Sequence, residues 1–215
     1  WGDPIIQGTA AFNQSLNSAE DQLGQFGDNN DGMSLFHFVN EKGELDPNRA
    51  VMAINNEYYE PFIFAHQTAQ VKSIEDLKKA QAAGGVSIIE VVRDTANQWK
   101  YVSDSKFNRR IHANTPMEIT GAVRGSELLK SRFHTDGINV SGTINNCANG
   151  QTPWGTYLTC EENFDVYFGM TGEFKSNPAQ KRYGLIGKPE PGREWADFDP
   201  RFDLSQIPNE GNTFG

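Results

Sequence analysis

The stretch from Asn145 to Phe164 reads NNCANGQTPWGTYLTCEENF and places two cysteines, two adjacent glutamates and four asparagines around a Pro-Trp-Gly turn. Its second half has the pattern of a β-strand, in which successive side chains face opposite ways. In that strand Cys160 and Glu162 are expected on one face and Glu161 on the other. The stretch therefore predicts β-structure that carries a dense set of potential metal ligands.

The donor types in this stretch leave its function open. Carboxylate and amide oxygens suit Ca²⁺ or Mg²⁺, whereas a thiolate is a softer donor that suits iron or zinc. The adjacent carboxylates Glu161 and Glu162 are costly beside a buried strand unless a cation or hydrogen bonds compensate their charge. The alternative is a strand that runs out into a solvated acidic turn, where paired glutamates are common.

The cysteines also have more than one interpretation. Cys147 and Cys160 flank one turn, so they could form a disulfide across a hairpin, supply a metal thiolate, or remain as two reduced thiols. The zinc signatures CxxC and HExxH do not occur. A disulfide would imply an oxidising compartment, while a single metal-bound thiolate would leave the other cysteine as a small apolar residue.

Composition favours a mainly β fold and excludes some partners. The 215 residues include 21 Gly and 10 Pro, and only 37% of them are hydrophobic, which is typical of short strands joined by turns. The net charge of −9 disfavours nucleic acid, since phosphate binding needs clustered Lys and Arg. No apolar run approaches the roughly 20 residues of a membrane span. We therefore expect neither nucleic acid nor a membrane as partner.

Alternating apolar runs predict three antiparallel hairpins. They pair 34–40 with 50–59, 86–93 with 99–102, and 138–144 with 156–159. Between them, Ser73 to Ala83 predicts one short helix, with Ser73 as N-cap and Asp76 at the capping-box position. Its apolar stripe is small, so we expect it to be an insertion at the surface.

The two ends of the chain lack a clear period. Residues 1–33 are rich in Gly, Asn, Asp and Gln and predict an irregular amino-terminal arm. It ends at Gly27 to Gly32, a string of turn-forming residues whose Asp and Asn side chains can also donate oxygen ligands. We favour a solvated turn there, because the closing Glu of an EF-hand loop is missing. Residues 187–215 contain four prolines and predict a loop-rich tail.

Several strings of this sequence resemble the PhoX-type bacterial alkaline phosphatases. They are Trp1 to Pro4, Phe26 to Asp31, Asn55 to Tyr58, Thr115 to Glu118 and, above all, Asn145 to Phe164. These strings follow the order of the family over nearly the whole chain. Two positions depart from the family pattern, because Asn56 and Ser126 stand where the family usually has histidine.

The resemblance implies a fold and an activity. The fold would be a partial β-propeller, with residues 1–215 as the amino-terminal portion of a single larger propeller domain. The activity would be hydrolysis of phosphomonoesters by a periplasmic or secreted enzyme that, when intact, uses Fe(III) and Ca²⁺. A partial propeller exposes strand edges, through which it could self-associate. The alternative is a non-catalytic, calcium-binding, propeller-like scaffold that has lost its chemistry together with the two histidines. A further alternative is that residues 1–215 by themselves bind no metal, because ligands from later blades are missing.

The resemblance also implies metal ligands. Glu57 and the Cys160, Glu161 and Glu162 string fall on the metal-site motifs of the family, and we predict Cys160 as the iron thiolate.

A substrate-binding role is suggested by an adjacent pair of arginines. Arg109 and Arg110 could clamp a phosphate in bidentate fashion. The alternative is a solvated pair beside a turn.

Overall fold

The computed structural model describes residues 1–207, and within them the chain is mainly β, with open antiparallel sheets and few helices. The strands are β1 Asn30–Val39, β2 Leu45–Asn56, β3 Gly85–Arg93, β4 Trp99–Tyr101, β5 Arg109–Ile111, β6 Pro116–Glu118, β7 Asn139–Ser141, β8 Asn146–Gln151 and β9 Tyr157–Glu161. The α-helices are α1 Ala19–Gly24, α2 Ile74–Ala83 and α3 Pro178–Arg182. The last part of the predicted tail, 208–215, lies outside the described residues.

The main sheet has five strands in the order β1-β2-β3-β4, with β5 also paired to β3. The first half of β3 pairs with β5 and its second half with β4, as the partners Val86↔Ile111 and Val91↔Tyr101 show. Strand β3 is apolar over most of its length and is buried from Gly85 to Val91, which suits its central position. The predicted hairpins β1–β2 and β3–β4 are confirmed.

The third predicted hairpin is wrong. Strand β7 pairs with β6, and β9 pairs with β8. The sequence of β8, Asn-Cys-Ala-Asn-Gly-Gln, contains residues that are depleted from strands, so alternation did not reveal it. A short turn closed by the Thr152 N–H and the Thr156 carbonyl at 3.0 Å joins β8 directly to β9.

Helix α2 is correctly predicted in its position but not in its environment. The Ser73 hydroxyl accepts a hydrogen bond from the Asp76 N–H at 3.0 Å, as expected for an N-cap. However, the helix is no surface insertion, because Leu77, Ala80 and Ala83 are buried in the largest hydrophobic cluster. The small side chains of Ala80 and Ala83 allow the helix to approach the core closely, an effect that a count of large apolar residues does not detect.

The ends of the chain are more ordered than their composition predicts. The amino-terminal arm forms α1, and Ser18 caps it in a capping box with Asp21. The carboxy-terminal region has no strand up to Ile207, in keeping with a loop-rich tail, but it forms three short 3₁₀ helices and α3 precedes it. Trp195 and Leu204 of this region are buried in the same cluster as α2. The prediction of one helix is therefore wrong, because residues 1–207 contain three α-helices.

The side chain of Arg110, on β5, is buried and joins several parts of the fold. Its guanidinium lies among protein oxygens, and the loss of hydration on burial lowers its pKa to about 9, which leaves it charged at neutral pH. It donates to the carbonyls of Gln25, Ala82, Ala83 and Gly84, to Ser87 Oγ and to Asn56 Oδ1.

None of the helices within residues 1–207 combines the length and the apolar character needed to cross a membrane.

Replacing Arg110 should unfold the protein more easily than replacing its neighbour. We expect Arg110→Met to lower the free energy of unfolding by about 3 to 5 kcal/mol, because several buried oxygens would lose their donor. Urea denaturation measures this change. The control is Arg109→Met, since Arg109 is exposed on the same strand and should change stability by no more than about 0.5 kcal/mol. Equal losses for both variants would contradict the structural role.

Candidate metal centre

Three potential ligands from distant parts of the chain meet at one end of the main sheet. Asp31 lies at the start of β1, Glu57 directly follows β2, and Cys147 lies near the start of β8. One ligand atom of each residue lies within 4.8 Å of the others. Asp31 is exposed to solvent, while Glu57 and Cys147 are half-buried.

The pairing of β1 with β2 brings the two carboxylates together. Asn30 is the register partner of Asn56, and the Glu57 N–H donates to the Asn29 carbonyl at 2.9 Å. In an antiparallel pair the start of one strand lies beside the end of the other. The residues at the start of β1 and just after the end of β2 therefore lie at the same edge of the sheet. Asp31 and Glu57 lie at that edge because each is next to a member of this pair.

The third ligand arrives because the β8–β9 hairpin packs closely on β1. Gly32 makes this approach possible, since a Cβ atom at that position would lie 2.7 Å from the Cys147 carbonyl oxygen. The Asn149 amide also donates to Ser34 Oγ at 2.7 Å. The hairpin is thus fixed against the strand that carries Asp31.

The Cys147 thiol lies between two carboxylates. It hydrogen-bonds to Asp31 and Glu162, and these bonds raise the pKa of Cys147 to about 12 because they favour the protonated thiol. Burial and the negative charges of the same two carboxylates act in the same direction. In this environment a bound cation would be needed to make the thiolate the stable form at neutral pH.

The pKa of Glu57 is also raised. Loss of hydration is the largest cause, followed by repulsion from the carboxylates of Asp31 and Glu162. A hydrogen bond with the Asn145 side chain acts in the opposite direction. Asn145 is in turn held by the Tyr167 hydroxyl, which donates to its Oδ1 at 2.9 Å.

The predicted metal ligands separate into two groups. Glu57 is a member of the cluster, and Glu162 hydrogen-bonds to the Cys147 thiol and repels the Glu57 carboxylate. Glu161 does not join them, because its carboxylate accepts hydrogen bonds from the Thr143 hydroxyl at 2.7 Å and the Ile144 N–H at 3.0 Å. Cys160, which we predicted as the iron thiolate, is exposed and lies outside the group of mutually close ligand atoms found in residues 1–207.

A β-bulge explains why the other cysteine reaches the cluster. The β8–β9 register passes from Asn146↔Glu161 to Asn149↔Thr159, so Cys147 and Ala148 together oppose Cys160. The extra residue changes the direction in which the neighbouring side chains project. Both cysteines are free thiols, so the disulfide interpretation does not hold in this structure.

Sequence reasoning did not select Asp31 or Cys147. Asp31 was visible in the oxygen-rich string from Gly27 to Gly32, but a solvated turn has the same composition. Cys147 was visible as one of two cysteines whose spacing could not be resolved. Only their proximity to Glu57 distinguishes both residues from ordinary turn residues.

The two arginines lie away from the cluster. Arg110 is buried and its two terminal nitrogens donate to protein oxygens, which gives it a structural role in this structure. Arg109 is exposed and donates to the Phe107 carbonyl at 2.9 Å, as in the alternative of a solvated arginine.

The donor set fits a metal ion better than a packing role. Two carboxylates and a thiol this close together repel one another as they ionise, and a cation would remove that repulsion. Carboxylates bind hard cations, and a thiolate adds affinity for iron or zinc. The cluster therefore has the chemistry of a mixed site that could hold iron, with oxygen ligands to share with a second, harder cation.

Comparisons with known proteins identify the family of this chain. A search of curated protein sequences finds no match. Among solved structures, the chain is similar to Pseudomonas fluorescens PhoX in complex with vanadate, a transition state analogue, with 48% sequence identity and a TM-score of 0.86. The match covers 96% of this chain and 35% of that chain. Residues 1–215 match the family described as Alkaline phosphatase PhoX, and the chain belongs to that family.

Proposed function

We propose that this chain is the amino-terminal portion of an exported, metal-dependent phosphomonoester hydrolase. The cluster of Asp31, Glu57 and Cys147 carries the proposal, because it is a metal-binding donor set in a chain of the PhoX alkaline phosphatase family. The vanadate bound by the similar Pseudomonas protein is an analogue of a transferring phosphoryl group, which supports a phosphate ester as the substrate. A periplasmic or secreted location is part of the proposal and rests on the resemblance to the family.

The proposed cofactors are Fe(III) and Ca²⁺. Cys147 would hold iron through its thiolate, with Glu57 and Asp31 as carboxylate ligands, and Glu162 could bind iron or calcium beside them. Bound there, these cations would polarise a phosphoryl oxygen and stabilise the negative charge that develops during hydrolysis. The chain itself contributes the positions of the ligands and the hydrogen bond from Asn145 that keeps Glu57 in place.

The proposed architecture of the whole enzyme is a β-propeller that this chain begins. An apolar cavity of about 520 Å³ lies on one face of the main sheet, and its lining includes Phe36, Val51, Ile88, Ile111 and Met117. This chain spans only 35% of the length of the solved relative. We propose that the remaining polypeptide covers this face and the outer edges of the sheet, and that these edges can self-associate when it is absent.

Iron binding should depend on Cys147 and not on Cys160. We expect Cys147→Ser to remove the iron that co-purifies with the protein, together with its thiolate-to-iron absorption band, because serine is a much poorer ligand for this metal. Metal analysis and absorption spectroscopy measure the two effects. Cys160→Ser is the matched control and should retain both. Loss of iron from the Cys160 variant alone would support Cys160 as the iron ligand, as predicted from the sequence. Calcium without iron in the wild-type protein would favour the non-catalytic scaffold.

Hydrolysis of a phosphomonoester should depend on Glu57 far more than on Glu161. We expect Glu57→Gln to lower kcat/KM for a chromogenic phosphomonoester by about 100-fold or more in the natural polypeptide that contains this chain, because it removes a charged metal ligand. Glu161→Gln is the control, since its amide oxygen can still accept the bonds from Thr143 and Ile144. Similar losses in both variants would contradict the arrangement of ligands proposed here.

A further inference from the structure

The amide side chain of Asn55 lies behind the candidate metal centre without being one of its ligands. Asn55 is the last residue but one of β2, two positions before Glu57, and it is fully buried. Its Nδ2 donates to the backbone carbonyls of Cys147 at 2.7 Å and Ala148 at 3.1 Å. A single side chain thus connects the strand that leads to Glu57 with the backbone of the thiol ligand.

The oxygen atom of the same amide also has hydrogen-bond partners. Asn55 Oδ1 accepts a hydrogen bond from the Thr159 hydroxyl at 2.9 Å, and it shares the single proton of the Tyr157 hydroxyl, also at 2.9 Å, with the Gly32 carbonyl at 3.0 Å. A carboxamide offers two N–H donors and two lone pairs, and all four have partners here. The orientation of the amide is therefore determined, because a flipped amide would face two carbonyls with its oxygen.

The backbone at Cys147 is a place where the sheet does not determine the conformation. The β8–β9 ladder is interrupted between Asn146 and Asn149, and the two residues inside this bulge are the ones whose carbonyls Asn55 binds. A bulge leaves a residue without its regular ladder partner. The hydrogen bonds from Asn55 take the place of the missing ladder bonds.

The next residue of β2 does the same for a second ligand. Asn56 points to the opposite face, where its Nδ2 donates to Asn30 Oδ1 at 2.8 Å, directly beside Asp31. Its Oδ1 accepts from Ser87 Oγ at 2.6 Å and from Arg110 at 3.2 Å. The sequence Asn55-Asn56-Glu57 therefore provides one ligand and binds the segments that carry the other two.

We propose that Asn55 is a positioning residue that sets the distance of the Cys147 sulfur from the Glu57 carboxylate, and so sets the affinity of the centre for a metal ion. The inference rests on the metal centre of the proposed function. Groups that orient metal ligands typically change metal affinity by about 10- to 100-fold when they are removed. Asn55 acts through Cys147 and does not itself contact the metal ion.

Titration with Co²⁺, whose absorption reports on thiolate ligation, tests the inference. We expect Asn55→Ser to weaken Co²⁺ binding by about 10- to 100-fold and to shift the thiolate-to-cobalt band, because the sulfur is no longer held in place. The matched control is Gln151→Ser, which removes a hydrogen bond from the hairpin to the Leu35 carbonyl of β1 at the end of β8 that is farther from Cys147. This control should retain the affinity and the band of the wild type. Thermal unfolding of each variant shows whether the fold is kept.

A milder variant covers the case in which Asn55→Ser fails to fold. Tyr157→Phe removes the hydroxyl that Asn55 shares with the Gly32 carbonyl, and it keeps the aromatic ring, which packs edge-on against Phe36 with centroids 6.3 Å apart. We expect a smaller loss of Co²⁺ affinity in the same direction. The inference would be overturned if the folded Asn55 variant kept the Co²⁺ affinity and the absorption band of the wild type. If that variant does not fold, the same result for Tyr157→Phe would overturn it. Neither result would contradict the metal centre itself. A wild-type protein that binds no Co²⁺ through Cys147 would overturn both.

Discussion

The buried guanidinium of Arg110 is surrounded by neutral oxygen atoms of the chain. Within residues 1–207 the structure gives it no carboxylate partner. A buried cation is tolerated only when hydrogen bonds replace its hydration. The oxygens come from the end of α2, from β2 through Asn56, and from the segment before β1 through Gln25. The segment before β1 and the end of β2 lead to Asp31 and Glu57, so the positions of these two candidate ligands depend on the same network that satisfies this charge.

The candidate metal centre works against the stability of the metal-free protein. The raised pKa of Glu57 means that its ionised form is less stable in the folded chain than in the unfolded one. Stability from this group is therefore lost as the pH rises from the unfolded pKa through the raised folded value, and it is not regained at higher pH. Asn55 and Asn56 oppose this repulsion by holding the ligand segments together through neutral hydrogen bonds. The fold keeps acidic groups close together that would otherwise move apart, which is the arrangement a cation requires.

Much of the sheet could be predicted from local patterns. Strands β1, β2 and β3 have the apolar character of half-buried or buried strands, and Ser73 gave a correct start for α2. Strand β8 was missed because its residues are turn formers, and its pairing comes from packing onto β1. The burial of α2 was missed because its core face consists largely of alanine.

The sequence by itself determined that the chain is mainly β and that it resembles the PhoX family, and it predicted metal ligands in the strings around Glu57 and Glu162. It could not choose between Cys147 and Cys160, nor separate Asp31 from the polar turn that contains it. Only the tertiary structure decided which of these residues lie close to Glu57. Asp31, Glu57 and Cys147 are far apart along the chain, and their approach depends on the β1–β2 register and on Gly32. The choice of cysteine depends on one bulge, whose carbonyls are bound by an amide from a distant strand, and no local pattern carries that information.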